Sequence, residues 1–408
     1  MYAFWTPFPP TRSGTADYAL ALVTLLAKEH PITVIVEDSQ YTAESRDLAT
    51  RVGAHLLPER DYRYLAPHVA LDVYFLANNQ HHVYMYRRAE AHPGLLVLHE
   101  NAANGGYFLL IDRELRERPE LAAARFQAEV RRVYPEYPHV LSRYRLENAP
   151  FMASMTERLI EASTGVLVHN PVLAKRLQVE TGADVAYAPL PRMPEMPAQD
   201  VAQAWEGLLP KLPDRPVLFG SLGFASSYKR LPQTLRAYRR FAREQPQLAS
   251  RTAFVVAGQM DAGTRAALAA EKAVEGLGAG HWLELPYLTE PALEALLTRL
   301  DLLVNLRFPS FGEASAMLSR SLSFGKATVV SDIGFYGSMP DDVVLKVDPL
   351  DGEEDALARL FARCARGEPL LDTERIKRFA SNAFDPDVLA RNFGACLEKN
   401  RERQIRRL

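Results

Sequence analysis

Short apolar runs alternate with amphipathic stretches along the whole chain. The first half carries ITVIV (32–36), DVYFL (72–76), LLVL (95–98) and GVLVH (165–169). The second half carries VLFG (217–220), AFVVA (253–257), WLEL (282–285), LLVN (302–305), ATVVS (327–331) and VVLKV (343–347). Runs this short, rich in β-branched residues and apolar at every position, predict strands buried on both faces, as in a parallel sheet. Between them the apolar spacing changes to that of a helix. Ala19, Leu22, Val23 and Leu26 share one face, as do Leu231, Leu235 and Tyr238, and as do Ala314, Met317, Leu318 and Leu322. Repeated strand–helix alternation predicts a doubly wound α/β architecture, with a strand at the very start of the chain.

The pattern breaks at APLPRMPEMP (188–197), where four prolines in ten residues are incompatible with a helix interior or a central strand. The chain therefore divides into a first Rossmann-like domain at 1–190, a linker at 191–215 holding a short helix (QDVAQAWEGL), a second Rossmann-like domain at 216–384, and a helix at 385–408 expected to pack back on the first domain. A mostly helical insertion, about 101–164 with EYPHV at its centre, interrupts the first domain. Two such domains are expected to face a central cleft, because ligands of open α/β sheets bind beyond the carboxyl ends of the strands.

Composition narrows the function classes. The 408 residues fit two domains, and 48% hydrophobic with 24% charged residues is an ordinary globular mix. A net charge of -2 gives no reason to expect a nucleic-acid partner. Two cysteines, Cys364 and Cys396, are too few for a zinc-ribbon cluster and favour a reducing compartment. No run approaches the ~20 apolar residues of a membrane span, and MYAFWTPFPP lacks the layout of a signal peptide. A cytoplasmic protein is expected. The terminal RERQIRRL reads as a solvated helix end and leaves peripheral contact with the inner membrane face open.

Neither GxGxxG after the first strand nor GxxxxGK[ST] is present, which argues against dehydrogenase and P-loop chemistry. The candidate chemistry lies in loops that follow strands. After the first strand, PFPPTRSGTADY (7–18) brings Gly14 to a helix start, where a ligand can approach the backbone and an anion is favoured, with Asp17 in the first turn. In the second half Lys229 and Arg230 precede a helix whose dipole they do not help, so they point to a phosphate ligand. In LLVNLRFPSFGEASAMLSRSLSFGKATVVSD (302–332), the amides of Ala314, Ser315 and Ala316 suit a diphosphate and Arg307 adds charge. Glu313, an acceptor, suits sugar hydroxyls, while Ser315 equally suits a helix cap. His99 and Glu100 follow LLVL, and Asn78, Asn79, His81 and His82 follow DVYFL, both where polar residues can meet a ligand. HENAA lacks the second histidine of HExxH, and no metal site is expected.

Taken together, SGTADY (13–18), NNQHHVYMY (78–86), HPGLLVLHE (92–100), GSLGFASSYKRL (220–231) and LRFPSFGEASAML with SFGKATVVSD (306–332) resemble the glycosyltransferases of family 4, which have the GT-B fold. The resemblance implies transfer of a sugar from a nucleotide-sugar donor with retention of configuration, without metal or cofactor, to an acceptor held by the first domain. Sugar, lipid-linked and small-molecule acceptors all stay open. By the same resemblance Gly14 lies beside the donor phosphate, His99 near the transferred sugar, Lys229 on the diphosphate and Glu313 on sugar hydroxyls. Asp17, Asn79, His82 and Glu100 fall on the acceptor side. Two positions depart from the family pattern: Gly223–Tyr228 holds no arginine, and Arg320 stands where a ribose-binding glutamate is usual. A non-catalytic nucleotide-sugar-binding protein and a sugar-nucleotide epimerase are the alternatives.

Overall fold

A computed structural model describes residues 1–115, 118–135, 153–208, 210, 212, 214, 217–274, 276 and 281–407. EYPHV, the expected centre of the insertion, lies outside the described residues. The chain forms two compact units. The first comprises Met1–Pro191, Phe311–Ala314 and Pro386–Leu408, and the second Arg192–Ser310 and Ser315–Asp385.

The first unit is built on seven parallel strands: β1 (Tyr2–Trp5), β2 (Ile32–Val36), β3 (His55–Pro58), β4 (Leu71–Leu76), β5 (Leu95–Leu98), β6 (Gly165–Val168) and β7 (Val185–Tyr187). Their order is β3-β2-β1-β4-β5-β6-β7, with β1 inside the sheet as in a doubly wound fold. Every residue of β1, β2, β5 and β6 is buried, which is why these strands read as continuous apolar runs. The helix Gly14–Leu26 is capped by Ser13 and buries Ala19, Leu22, Val23 and Leu26. The helices Asn104–Glu114 and Pro119–Val133 belong to the insertion and pack Tyr107, Ile111, Ala122 and Phe126 into the apolar layer of Trp5, Tyr74 and Tyr86.

The C-terminal helix Pro386–Arg407 covers the opposite sheet face. Phe393 stacks on Phe75 with ring centroids 6.1 Å apart and also meets Phe4 at 6.0 Å. Leu389 and Leu397 are fully buried in the same layer. Two arginines of this helix are charge-compensated: Arg401 pairs with Glu398 at 2.7 Å and Arg403 with Asp184 at 2.6 Å. No helix among the described residues is long and apolar enough to cross a membrane.

The second unit holds six parallel strands: β8 (Val217–Leu222), β9 (Thr252–Ala257), β10 (Trp282–Leu285), β11 (Leu302–Val304), β12 (Thr328–Ser331) and β13 (Leu345–Val347), in the order β10-β9-β8-β11-β12-β13. Leu231, Leu235 and Tyr238 of the helix Leu231–Glu244 are buried and join Phe219, Phe254 and Phe361 in one core. The helix after β11 differs from its sequence-based bounds. It spans Ala316–Ser323, so Ala314 precedes it and packs instead within the first unit, while Leu318 and Leu322 are buried as expected. The reason is Ser315, whose hydroxyl accepts the Leu318 amide at 3.1 Å and so fixes the helix start after itself.

Candidate functional site

In the first unit the ends of three strands converge on a group of imidazoles. β4–β5 pairing ends at Leu76↔Leu98, and β5–β6 pairing at Leu98↔Val168. The next residues, His99 and His169, are therefore brought side by side beyond the sheet, with ring centroids 5.7 Å apart. Tyr18, from the second turn of its helix, meets His99 at 5.2 Å and His169 at 4.8 Å. His82 approaches His99 at 6.1 Å.

Hydrogen bonding separates these side chains into two kinds. His82 is fully buried, with Nδ1 2.6 Å from the Phe75 carbonyl and Nε2 2.9 Å from Thr15 Oγ1. With both ring nitrogens engaged it ties the loop after β4 to the first helical turn. By contrast, the Tyr18 hydroxyl, His99 Nε2 and His169 Nε2 are buried and find no partner among the described residues. Unsatisfied polar atoms in one place mark where a ligand or water completes the bonding. Burial keeps the imidazoles neutral: it lowers His99 well below the usual range, helped by His169 and His82, and brings His82 and His169 each to about 4. His169 and Tyr18 were not singled out from sequence, although GVLVH and SGTADY contain them.

Glu100 and Glu313 adjoin this group. The Asn78 amide donates to Glu100 Oε1 at 2.9 Å. Burial raises the Glu100 carboxyl to about 7 against that hydrogen bond, and the charge of Glu313 pushes it the same way. Phe311–Ala314 packs with the first unit, where the Asn101 amide donates to the Phe311 carbonyl at 2.7 Å and Asn170 Nδ2 to the Gly312 carbonyl at 3.0 Å. Within that turn Glu313 Oε2 accepts the Phe311 amide at 2.8 Å. Asn79 closes a local turn by accepting the His81 amide at 3.0 Å, and Asn78 rather than Asn79 bridges to the insertion through Asn104 and Gly106. Asp17 is half-buried in the first helical turn. Gly14 has open space around it, with no atom within 4 Å of where a side chain would begin.

The second unit gathers cations. After β8 the chain turns at Gly223, whose φ is +89°, and Gly258 backs onto it so closely that a Cβ would lie 2.4 Å from the Gly223 carbonyl oxygen. This close backbone approach demands glycine. The turn Ser227–Lys229 then folds Lys229 back, and its Nζ donates to the Leu222 carbonyl at 2.8 Å. Lys229 is only 6% exposed, and no carboxylate among the described residues pairs with it. Burial first, then the charge of Arg307, lowers its pKa well below the ordinary lysine range. Arg307 is buried too, donates to the Leu306 carbonyl at 2.9 Å and lies 5.6 Å over the Tyr228 ring. Lys229 and Arg307 thus each disfavour the other's charge in a buried place.

Arg230 is different despite adjoining Lys229. Its Nε donates to both oxygens of buried Glu353 at 2.8 and 2.7 Å, and its guanidinium covers Phe308 at 5.3 Å. Arg230 therefore ties the loop to the helix Glu353–Ala365. Arg320 is likewise engaged, donating to Glu290 and, at 3.3 Å, to buried Glu294. Ser315 serves as the cap of its helix, and the Ala316 amide lies in the first turn. Among the described residues no group of three His, Cys, Asp or Glu side chains could hold a metal.

These paired parallel-sheet units define the GT-B fold. Solved structures similar to the chain are of this class. WaaG, a glycosyltransferase involved in lipopolysaccharide biosynthesis, matches with a TM-score of 0.59 and 13% identity, over 97% of this chain and 99% of its own. HepE of Anabaena in complex with UDP-glucose gives 0.59 and 12% over 98% and 99%. Sucrose-phosphate synthase of Thermosynechococcus elongatus gives 0.61 and 13% over 98% of both. No protein-family model matches the chain, and no curated protein sequence does.

Proposed function

We propose that the protein is a glycosyltransferase that uses a nucleotide-diphosphate sugar. The observation that carries this reading is Lys229, a buried amine whose Nζ donates to one backbone carbonyl beside Arg307, and whose charge burial and Arg307 disfavour until an anion is present. A buried cation without a carboxylate is costly unless a ligand supplies the negative charge. The fold supports the reading, since HepE was crystallised with UDP and with UDP-glucose.

In this reading the bond between the anomeric carbon and the β-phosphate oxygen breaks, and the acceptor oxygen bonds to the same carbon. Lys229, Arg307 and the amides at the start of the helix Ala316–Ser323 stabilise the departing diphosphate. The charge they provide needs neither metal nor cofactor. Glu313 reads sugar hydroxyls, and neutral His99 positions the transferred sugar or takes the acceptor proton. The acceptor hydroxyl attacks from the face that the diphosphate leaves, with retention, as in the family the motifs resemble.

The test is a calorimetric titration with UDP and UDP-glucose, followed by donor turnover with and without a chelator. Binding of UDP that falls tenfold or more in Lys229→Ala, with turnover unaffected by chelation, supports the reading. Tight UDP binding with no turnover of any nucleotide sugar would make the protein a binding partner, and unchanged UDP affinity in Lys229→Ala would move the phosphate site elsewhere.

A further inference from the structure

Every element packed around the Lys229 amine brings either a neutral group or more positive charge. Nζ lies against the turn after β8, where the Leu222 carbonyl accepts its N–H at 2.8 Å and a Cβ on Gly223 would come within 3.3 Å of it. Gly258, after β9, backs onto the same turn. The loop after β11 brings the Arg307 guanidinium. Within its own loop, Ser226 offers a buried hydroxyl with no partner among the described residues, and the Tyr228 carbonyl is taken by the Phe308 amide at 2.8 Å. Arg230 takes both oxygens of Glu353, the carboxylate that this loop recruits. The helix Leu231–Glu244 begins directly after Arg230 and presents the positive end of its dipole to the loop.

Three effects therefore act on Nζ in one direction. Burial strips the water that solvates an ammonium group, the guanidinium repels it, and the helix start opposes it. A neutral amine escapes all three and still donates an N–H to the Leu222 carbonyl. The pKa moves accordingly: burial first, and Arg307 second, lower Lys229 well below the ordinary lysine range. A diphosphate reverses the balance, because its charged oxygens replace the lost water and outweigh Arg307.

We infer that donor binding is coupled to a proton at Lys229: the amine is neutral in the free protein and takes one proton from solvent as the diphosphate arrives. The inference rests on the transferase reading, which makes Lys229 the diphosphate contact, and deepens it. When the complex holds one proton more than the free protein, affinity falls as pH rises, by up to about tenfold per unit. Calorimetry on the full chain tests this with UDP, GDP and ADP as probes. Between pH 7 and about 8.5 their terminal phosphate is already ionised, since its own pKa is about 6. Titrations in buffers of different protonation enthalpy count the protons. The parent protein is expected to take up close to one proton per diphosphate, with affinity falling as pH rises. Lys229→Met keeps the apolar stem and should bind at least tenfold more weakly at pH 7, at an unchanged melting temperature and with no uptake. Lys229→Arg, charged at every pH, should bind with no uptake and a flat pH profile. Lys229→Met alone decides the matter if the larger guanidinium is not accommodated. Binding that depends on Lys229 yet draws no proton in the parent, or uptake that persists in Lys229→Met, would overturn the inference and leave the transferase reading in place. Failure of all three diphosphates to bind, or binding indifferent to Lys229→Met, would overturn the transferase reading and this inference with it.

Discussion

The two units present the same kind of surface, loops after parallel strands, yet their polar groups answer opposite needs. In the first unit His99, His169 and Tyr18 leave neutral atoms unsatisfied. In the second the buried Lys229 amine lies beside the buried Arg307 guanidinium, and burial and that neighbour lower its pKa. Neutral donors and acceptors discriminate hydroxyls, whereas compressed cations are stabilised by an anion. The difference teaches that burial acts on both units in one direction: it keeps the imidazoles neutral and disfavours the charge of Lys229 beside Arg307.

The largest consequence is a difference in acid sensitivity. His82 and His169 have folded pKa values of about 4 against an ordinary 6.5, and His99 is lowered as well. Between pH 6.5 and 4 the unfolded chain binds more protons at these sites, so stability is lost as pH falls, by up to about 1.4 kcal/mol per pH unit for each group. Glu100 has the opposite sign, because its folded pKa of about 7 exceeds the ordinary 4.5 and it gains stability on acidification through that window. Three histidines outweigh one carboxylate. Hydrogen exchange at pH 7 and pH 5 should show the first unit opening more readily in acid, and Glu100→Gln should steepen the slope. A first unit whose protection does not change with pH would contradict the buried neutral imidazoles.

The second contrast concerns Lys229 and Arg230, adjacent in sequence. Arg230→Ala leaves Glu353 buried without its cation, and a loss of about 3–5 kcal/mol of stability in the second unit is expected by denaturant titration. Lys229→Ala removes a cation that has no carboxylate to leave behind. It should leave stability unchanged or raise it, while weakening UDP by roughly ten- to hundredfold, as for one charge-assisted contact. Equal destabilisation by both substitutions would mean that Lys229 is structural as well.

Interior strands were legible because burial on both faces leaves an apolar run: β2, β5 and β9 coincide with or contain the runs ITVIV, LLVL and AFVVA. β3 and β7 were not, since each is an edge strand of three or four residues with an exposed position, His55 or Tyr187. At the site, the loops were legible and the partners were not. Glu353 lies 123 residues from Arg230, and the carboxylates on Arg320 come from a different helix, so no local spacing could reveal that these arginines are neutralised. The signal for His169 was present, because it ends a buried strand as His99 does. The register that joins the two is a property of the sheet.

The smallest expected effect sharpens the first unit's part most closely. Tyr18 carries a buried hydroxyl with no partner among the described residues, and burial raises its pKa well above the ordinary value, so it remains a neutral donor. Tyr18→Phe keeps the ring against His99 and His169 and removes only that hydroxyl. If the hydroxyl serves the fold alone, its removal is neutral or stabilises by up to about 1 kcal/mol, because an unsatisfied buried group is lost. If it meets the sugar, transfer slows several-fold at unchanged melting temperature while UDP affinity, set by the second unit, is preserved. Measuring single-turnover rate and melting temperature on this one variant decides between them. A full-rate, stabilised Tyr18→Phe would remove this hydroxyl from the proposed site and leave the sugar to Glu313 and His99.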